Sequence, residues 1–391
     1  MKTKDDRMRY GSELPDLFCS ECGRRYPPTA WRCDCGGPLD LGGPCGFSVE
    51  ALRNRPPTLW RYREALPSVG NDNVVSLGEG YTPLVPARDG SGLLFKLDFL
   101  FPSGSFKDRG STVLASVLKE LAIPHVIEDS SGNAGASMAA YFAAAGIPVS
   151  IYAPATISTA KAAQIRSCGA SLVLVKGSRA DVTRAAQAAA AETYYGSHQL
   201  SPYFLAGTKT FAFEVWEQLG KRLPDNVVVP VGAGTLLLGA YLGFRQLREA
   251  GVTDHLPRLW AAQSESLAPL YHAFRLGLDS VEGVEYAVSD GVAEGTRVER
   301  PPRHRQILRA VRECGGAITA VNEREIAASW QQLARQGLFV EPTAAVAPAA
   351  LWRLLQQGAI DPAEITVVAL TGSGLKGVDK LAGLMPAGLA N

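Results

Sequence analysis

Apolar residues along the chain alternate between two spacings from Ser111 onward. Stretches such as Ser111–Leu121 and Asn133–Ala145 carry them at helical spacing, and the second ends at Gly146 with Pro148 beyond it, a usual helix stop. Short apolar runs such as Val149–Ala153 lie between the helices and are typical of buried strands. Strands that alternate with helices of this length predict parallel sheets covered on both faces, and we find no internal repeat.

The same reading assigns the remaining elements, while the polar, turn-rich stretch 280–305 receives none. The predicted strands are Leu93–Leu97, His125–Glu128, Val149–Ala153, Ser171–Val175, Asn226–Val231, Leu259–Ser264 and Ile365–Leu370. The predicted helices are Ser111–Leu121, Asn133–Ala145, Thr159–Ser167, Arg179–Thr193, Thr210–Leu219, Leu236–Ala250, Glu323–Gln336 and Ala344–Gln357.

The chain length of 391 residues allows two domains and a small extra module. We expect an α/β protein of two three-layer domains with mostly parallel sheets around a central cleft, preceded by an N-terminal module. The predicted boundaries are 1–50 for the module, 51–95 for an arm with the first strand, 96–110 with 207–391 for the larger domain, and 111–206 for the smaller. The strand before Lys107 is expected to join the smaller domain.

Composition narrows the class of protein. Apolar residues make up 46% and charged residues 20%, and the net charge is +1. Such a balance gives no electrostatic reason to expect a nucleic-acid partner. No apolar run approaches the ~20 residues that span a bilayer, and Met1–Arg9 is too polar for a signal segment. We therefore expect a cytoplasmic protein whose cysteines are thiols or metal ligands.

Four cysteines near the N-terminus have metal-ligand spacing. Cys19 and Cys22 form one close pair, Cys33 and Cys35 the other, and Gly36-Gly37 follows directly. Two pairs one hairpin apart predict a zinc ribbon, although the second pair has one spacer residue where two are usual. With no open ligand the zinc would be structural. Four thiols without metal are the alternative, and Cys45 outside the pattern is expected to be a small buried residue.

Three glycine-bearing turns follow predicted strands. Gly232, Ala233, Gly234 and Thr235 stand between a strand and a helix, where backbone N–H groups and the helix N-terminus favour a phosphate. The turn lacks the Gly-Lys-Ser/Thr ending of a nucleotide P-loop, so one phosphate monoester fits it better than a nucleotide. Ser130–Gly135 suits a carboxylate, and Asn133 within it can hydrogen-bond a phenolic oxygen. Thr371 follows the last strand, where ligands of parallel sheets bind.

The lysine of Gly104-Ser105-Phe106-Lys107-Asp108-Arg109-Gly110 is the candidate catalytic residue. It stands in a turn of small residues just before a predicted helix. A lysine that leaves water loses its charge easily and can form a Schiff base. An average lysine in a loop is a surface residue. The three turns favour the catalytic interpretation, because each supplies a part that a pyridoxal phosphate site needs.

Together these motifs resemble the pyridoxal-phosphate enzymes of the tryptophan synthase β-subunit type (fold type II), above all threonine synthases. The matching segments run in the family's order from about residue 76 to the end. They are Gly78–Leu84, Gly104–Gly110, Ser130–Asn133, Gly207–Thr210 with Phe213-Glu214, Gly232–Thr235, Glu341–Thr343 and Leu370–Gly372. Threonine synthases of this kind often carry a similar cysteine ribbon.

The resemblance implies a role for each motif. Lys107 would bind the cofactor covalently and move the α- and β-protons of the substrate. The other cofactor contacts would be Asn133 at the ring hydroxyl, Gly232, Ala233, Gly234, Thr235 and Leu236 at the phosphate, and Thr371 at the ring nitrogen. The substrate would be held by Ser130, Ser131, Gly132, Ala134 and His198. A homodimer and a small amino-acid substrate are also implied.

One segment departs from the family pattern. Threonine synthases usually carry an arginine that grips the substrate phosphate, and Phe204 occupies that position here. An apolar ring does not replace a bidentate cation. If Phe204 points into the core, His198, Gln199 and Lys209 can rebuild the clamp. If it faces the substrate, a less charged leaving group is favoured.

The sequence therefore supports one function with open alternatives. The first is conversion of O-phospho-L-homoserine and water to L-threonine and phosphate. The second is β-replacement or β-elimination on a serine- or threonine-derived substrate, as in cysteate synthase, cysteine synthase or threonine dehydratase. The third is a binding protein with a degenerate site, against which the intact lysine, asparagine and phosphate turns argue.

Overall fold

The computed structural model describes residues 14–43, 46–88, 92–157 and 159–378. The expectations for Met1–Arg9 and Cys45 fall outside these ranges. Two compact units result, each built from separate stretches of chain. Unit 1 comprises 1–80 with 107–210, and unit 2 comprises 81–106 with 211–391.

The strands in chain order are β1 (Leu17–Cys19), β2 (Arg25–Tyr26), β3 (Leu39–Leu41), β4 (Leu84–Pro86), β5 (Leu93–Lys96), β6 (Val126–Glu128), β7 (Val149–Pro154), β8 (Ser171–Val175), β9 (Tyr194–Tyr195), β10 (Asn226–Pro230), β11 (Arg258–Ser264), β12 (Ile318–Val321) and β13 (Thr366–Ala369). The α-helices are α1 (Lys107–Glu120), α2 (Asn133–Ala145), α3 (Thr159–Ser167), α4 (Arg179–Ala189), α5 (Pro202–Thr208), α6 (Thr210–Gln218), α7 (Thr235–Glu249), α8 (Pro269–Arg275), α9 (His304–Glu313), α10 (Glu323–Arg335) and α11 (Pro342–Gln356).

Unit 1 contains a small antiparallel ribbon and a parallel sheet. The ribbon has the order β2-β1-β3, and the sheet has the order β8-β7-β6-β9. The core of this unit includes Leu114, Tyr141 and Phe204, all fully buried. Because β6 and β9 are parallel neighbours, the residues that follow them lie at the same edge of the sheet.

Unit 2 is built on a six-stranded sheet of order β12-β11-β10-β13-β5-β4. All neighbouring pairs are parallel except β4 with β5. The carboxyl ends of β10, β13 and β5 are therefore adjacent. These two sheets confirm the predicted α/β class with mostly parallel strands. Among the described residues, no helix combines the length and apolar character needed to cross a membrane.

The structure places the chain around Lys107 differently from the prediction. The strand Leu93–Lys96 pairs with β13 in unit 2, not with the smaller sheet, and Lys107 belongs to unit 1 rather than to the unit that holds 211–391. The helix begins at Lys107, four residues before the predicted Ser111. Gly110 and Ser111 are weak helix formers, but both are buried in this helix, and tertiary packing overrides their low propensity.

Several elements were not predicted. They are α5, α8, α9, β9 and β12, and the predicted helix Arg179–Thr193 ends as a short 3-10 turn, Ala190–Glu192. Most of these are only two to seven residues long. A segment that short has too few positions to establish a hydrophobic period.

Candidate functional site

Lys107 is anchored by the two residues that follow it. Asp108 is fully buried and its Oδ1 accepts the Ser137 hydroxyl proton at 2.6 Å, while Arg109 donates to Thr210 Oγ1 at 3.1 Å. Asp108 also places a negative charge in the first turn of α1, where the helix dipole favours it. The half-buried Lys107 thus stands at the first position of a helix fixed on both sides.

Phe204 lies directly beside this lysine. Its ring is fully buried, and an added Cβ at Gly110 would overlap it, so α1 and α5 approach closely there. The Lys107 amine is 5.9 Å from the ring centroid, within the range of a cation–π contact. Phe204 is therefore both a core residue and a neighbour of the candidate catalytic amine.

Lys209 does not support the rebuilt phosphate clamp. Its amine donates to the Ala65 carbonyl oxygen at 2.9 Å and is buried, which ties α5 to the N-terminal arm. Phe204 is apolar, and the Lys209 amine is bound to a backbone carbonyl oxygen. His198 therefore remains as the predicted clamp residue with a described contact near Lys107.

His198 is paired with a buried carboxyl group that the sequence analysis missed. Its Nδ1 lies 2.7 Å from Glu128 Oε1, and its backbone N–H donates to Glu128 Oε2 at 3.1 Å. Glu128 ends β6 and His198 follows β9, so the parallel pairing of these strands brings the two together. The imidazole centroid is 5.9 Å from that of Phe204, in an edge-on arrangement.

Burial sets the protonation of this pair. It raises the pKa of the Glu128 carboxyl well above its usual range, and the neighbouring Asp129 adds to the rise. It lowers the pKa of the His198 imidazole well below its usual range, and the positive charge of Lys107 adds to the fall. Both shifts favour uncharged groups, as low-dielectric surroundings require. The pair then holds one proton, on the carboxyl side.

The turn Ser130–Gly132 lies between β6 and α2. Asn133 is the first residue of α2, and its N-cap, Gly132, supplies no side-chain cap. The side chains of Ser130, Ser131 and Asn133 are half-buried, whereas Ala134 is buried. An added Cβ at Gly135 would collide with the Ser130 carbonyl oxygen, so this tight turn requires glycine there. The predicted carboxylate turn is therefore a helix N-terminus without a side-chain cap, a shape that suits an anionic ligand.

Unit 2 holds the predicted phosphate turn. Gly232, Ala233 and Gly234 follow β10 and are buried, and Thr235 and Leu236 begin α7. Gly234 has φ +79° and supplies no side-chain cap. An added Cβ at Gly232 would lie 2.6 Å from the Gly295 carbonyl oxygen, which only glycine avoids. A helix N-terminus without a side-chain cap favours an anion.

Thr371, also in unit 2, lies next to a hydroxyl group without a partner. Thr371 follows β13 and is buried, and its carbonyl oxygen accepts the Phe106 N–H at 3.0 Å. Ser105 forms an isolated bridge with Gly372 and is fully buried, yet its Oγ has no hydrogen-bond partner. An unsatisfied buried hydroxyl is costly, so this position suits a ligand that supplies a polar atom.

The four predicted metal ligands lie together in the ribbon of unit 1. Their sulfur atoms are within 4.8 Å of one another, with Cys19–Cys35 at 3.5 Å and Cys22–Cys33 at 3.4 Å. Ligands about 2.3 Å from a tetrahedral zinc are ~3.8 Å apart, which matches this spacing. All four are free thiols in this fold, and an added Cβ at Gly37 would lie 2.9 Å from Cys19 Sγ.

Comparison with known proteins identifies the family. Residues 75–372 match the family model described as pyridoxal-phosphate dependent enzyme. The chain belongs to this family. Two features of unit 2 fit such a cofactor. The unpartnered Ser105 hydroxyl beside Thr371 suits the polar edge of a ring, and the buried glycine turn at the N-terminus of α7 suits a phosphate. The residues present therefore fit the cofactor.

Individual relatives extend the match over most of the chain. A threonine synthase of Methanocaldococcus jannaschii is 34% identical over 377 residues, which cover 92% of this chain and 93% of that protein. A threonine synthase of Mycobacterium tuberculosis is 32% identical over 341 residues, covering 85% and 91%.

Solved structures show the same fold. The processed form of threonine deaminase isoform 2 from Solanum lycopersicum has a TM-score of 0.68 at 20% identity and covers 89% of this chain and 96% of that one. A fungal L-serine ammonia-lyase from Rhizomucor miehei has a TM-score of 0.65 at 20% identity, covering 75% and 93%.

The Glu128 carboxyl near Lys107 was not predicted, and the sequence left open whether Phe204 points into the core or faces the substrate. Glu128 carried a signal, because a carboxylate that ends the apolar strand Val126-Ile127 is unusual. The sequence could not decide the position of the Phe204 ring, because α5 is seven residues long and its packing on Gly110 depends on a distant segment.

Proposed function

We propose that this pyridoxal-phosphate-dependent lyase is a threonine synthase, which converts O-phospho-L-homoserine and water to L-threonine and phosphate. The observation that carries the proposal is the 34% identity to a threonine synthase across 92% of the chain. The positions of Lys107 at the start of α1 and of the glycine turn at the start of α7 support it.

The chain's own residues divide the work. Lys107 would hold the cofactor covalently and, once released, move protons at the α- and β-carbons of the substrate. The cofactor, when bound, acts as the electron sink for this chemistry. Gly232, Ala233, Gly234, Thr235 and Leu236 would hold its phosphate, Thr371 its ring nitrogen and Asn133 its ring hydroxyl. Ser130, Ser131, Gly132 and Ala134 would receive the substrate carboxylate.

A hydroxyl at the ring nitrogen would suit the proposed reaction. Thr371 can donate a hydrogen bond but is not acidic enough to protonate the nitrogen. A largely neutral ring withdraws electrons less strongly, which favours elimination and replacement over reactions that need a long-lived carbanion.

Zinc in the ribbon is part of this proposal. The four sulfur atoms of Cys19, Cys22, Cys33 and Cys35 have the spacing of a closed tetrahedral site, so the metal would be structural. The homodimer and the cytoplasmic location remain predictions from the sequence.

Steady-state turnover tests the reaction. The full-length enzyme, loaded with cofactor, is assayed with O-phosphohomoserine, O-phosphoserine, O-acetylserine and threonine. We expect phosphate and threonine to appear in equal amounts from the first substrate. Clear turnover of another substrate without phosphate release from the first would overturn the proposal.

A second candidate rests on Phe204. A buried phenyl ring 5.9 Å from the Lys107 amine supplies no charge to a dianionic tail. A phosphate that loses a charged partner loses ~1.5–3 kcal/mol of binding. The alternative is therefore β-elimination or β-replacement on a serine- or threonine-derived substrate, and the same assay separates the two. The described site residues are intact, which argues against a non-catalytic binding protein.

A further inference from the structure

The proposed mechanism gives no role to the carboxyl group of Glu128, which forms a buried titratable pair with His198 near Lys107. Glu128 is fully buried, and His198 is 7% exposed. Both oxygens of the carboxyl group are committed to His198, one to the ring and one to the backbone N–H. A carboxyl group held this way fixes both the place and the rotation of the imidazole.

The Phe204 ring lies near both the pair and Lys107, the lysine proposed to react. The centroid of the Phe204 ring lies 5.9 Å from the Lys107 amine and 5.9 Å from the centroid of the His198 ring. Asp129, the next residue after Glu128, is engaged elsewhere, since its Oδ2 accepts from Arg179 at 2.9 Å and from Thr183 at 2.6 Å. The charged groups that act on the pair are thus Lys107 from α1, Asp129 after β6 and Arg179 from α4.

Hydrogen-bond geometry then decides which nitrogen of His198 carries a proton. If the Glu128 carboxyl keeps its proton, it donates to Nδ1, and the neutral imidazole must carry its own proton on Nε2. If the proton moves to the ring, Nε2 is protonated as well. Both arrangements in which the shared proton lies between Glu128 Oε1 and His198 Nδ1 therefore present an Nε2–H donor.

We propose that Glu128 is a positioning residue, which holds His198 so that its Nε2–H is offered as an uncharged donor to an oxygen atom in the side chain of the substrate bound near Lys107. The substrate class is an amino acid whose side chain ends in an oxygen-linked leaving group. This inference rests on the proposed function for the role of Lys107. In it, the uncharged His198 donor takes the role of the phosphate-binding arginine that is absent at position 204.

The pair can also supply the proton that the leaving group needs. As the carbon–oxygen bond breaks, its electron pair goes to oxygen, and Nε2 gives that oxygen its proton. Nδ1 takes the carboxyl proton of Glu128 in the same event. The pair is left as a carboxylate and a neutral imidazole, and it regains one proton from water after product release.

Nitrogen-15 NMR of the full-length protein tests the pairing without any turnover. The chain has five histidines, so the His198→Gln variant assigns the signal. At pH 7 we expect His198 to be neutral with its proton on Nε2, and Glu128→Ala to abolish this single tautomer. A proton on Nδ1 with a bare Nε2 in the native protein would overturn the proposal.

Kinetics with the loaded enzyme test the role in substrate recognition. Glu128→Gln keeps the shape and an acceptor for the His198 N–H but removes the exchangeable proton. On whichever substrate the native enzyme turns over, we expect a loss in kcat of about 10²-fold, the lower end of the usual range for proton transfer, that grows as the leaving group becomes more basic. Equal losses for all leaving groups, or none, would contradict the proposal.

Failure of the proposed function and failure of the role proposed for Glu128 give different results. If the native enzyme makes no threonine, the proposed function fails, while the NMR tautomer and the leaving-group dependence on another substrate still decide the role of Glu128. Lys119→Ala, at the half-buried C-terminal end of α1, serves as the control for nonspecific loss of activity, because its amine bonds only the Asp72 carbonyl oxygen among the contacts described.

Discussion

At the scale of single residues, the candidate chemistry depends on one amine and on what surrounds it. Lys107 begins α1, and the buried Asp108 and Arg109 behind it fix the start of that helix. The apolar ring of Phe204 lies 5.9 Å from the Lys107 amine, and the His198 imidazole beside that ring is held by a carboxyl group.

Replacement of Lys107 by alanine tests this assignment. The native protein should be yellow, and borohydride should fix the cofactor to the peptide that contains Lys107. We expect Lys107→Ala to lose the covalent link and to reduce turnover by at least ~10²–10⁴-fold, the usual contribution of a proton-transferring group. Mass spectrometry after reduction is the measurement, with Lys119→Ala as the control. A variant that retains a reducible link would refute the assignment.

At the scale of secondary structure, close helix contacts position the site of unit 1. Gly110 of α1 faces the Phe204 ring of α5, and an added Cβ at Gly207 would collide with the Arg109 carbonyl oxygen. Two glycines thus let α1 and α5 approach closely near Lys107. The ribbon also contacts this region, since Tyr203 donates to the Pro28 carbonyl oxygen at 2.7 Å and Trp31 packs on Tyr195 at 4.9 Å.

A double-mutant cycle tests the contact between α1 and α5. Gly110→Ala should lower the free energy of unfolding by about 1–3 kcal/mol, because the new methyl group must displace the Phe204 ring. Phe204→Leu makes room, so the double variant should lose less than the sum of the single losses. Denaturant unfolding measures all three. Strict additivity would show that Gly110 and Phe204 do not meet.

Metal analysis and hydrogen exchange test the ribbon. We expect one zinc per chain, lost in Cys22→Ser but kept in Cys168→Ser, whose sulfur lies outside the cluster. Chelation should speed amide exchange in β1–β3, since metal binding contributes folding free energy, and should leave the cofactor spectrum unchanged. Freshly purified protein that contains neither zinc nor iron would count against the site, as would a disulfide between these cysteines.

At the scale of the whole molecule, the buried pair links stability to pH. In the folded chain Glu128 holds a proton and His198 does not. In the unfolded chain the ordinary pKa values are about 4.3 for Glu128 and 6.5 for His198, so between these pH values His198 holds the proton and Glu128 does not. The folded and unfolded pairs then bind the same number of protons, and the free energy of unfolding does not change with pH because of them. Below about pH 4.3 and above about pH 6.5, the folded and unfolded pairs bind different numbers of protons.

The predicted pH dependence follows from this count. Above about pH 6.5 the unfolded pair has lost its proton and the folded pair has not. The free energy of unfolding should then fall by up to about 1.4 kcal/mol per pH unit until the raised pKa of Glu128 is passed. Below about pH 4.3 the unfolded pair gains a second proton, and stability falls as pH decreases. Glu128→Gln should flatten the alkaline slope in denaturant titrations; parallel curves for the two proteins would contradict the assignment.

Much of the fold was predictable because its signals are local. The helix Asn133–Ala145 and the strand Ser171–Val175 have the predicted bounds, since each carries a clear period and its own stop signal. The cysteine pairs came together as expected, because the antiparallel pairing of β1 with β3 brings the two pairs into contact. The start of α1 was missed, because its glycine and serine residues are helical only through packing.

The sequence by itself determined the class of fold, the family and the candidate cofactor residues, because residue type and short spacing carry that information. Only the tertiary structure decided what surrounds Lys107. Glu128 and His198 are 70 positions apart and meet because β6 and β9 pair in parallel. Phe204 and Gly110 meet because α5 packs on α1. Contacts of this kind depend on how distant segments pair and pack, which no local pattern of residues specifies.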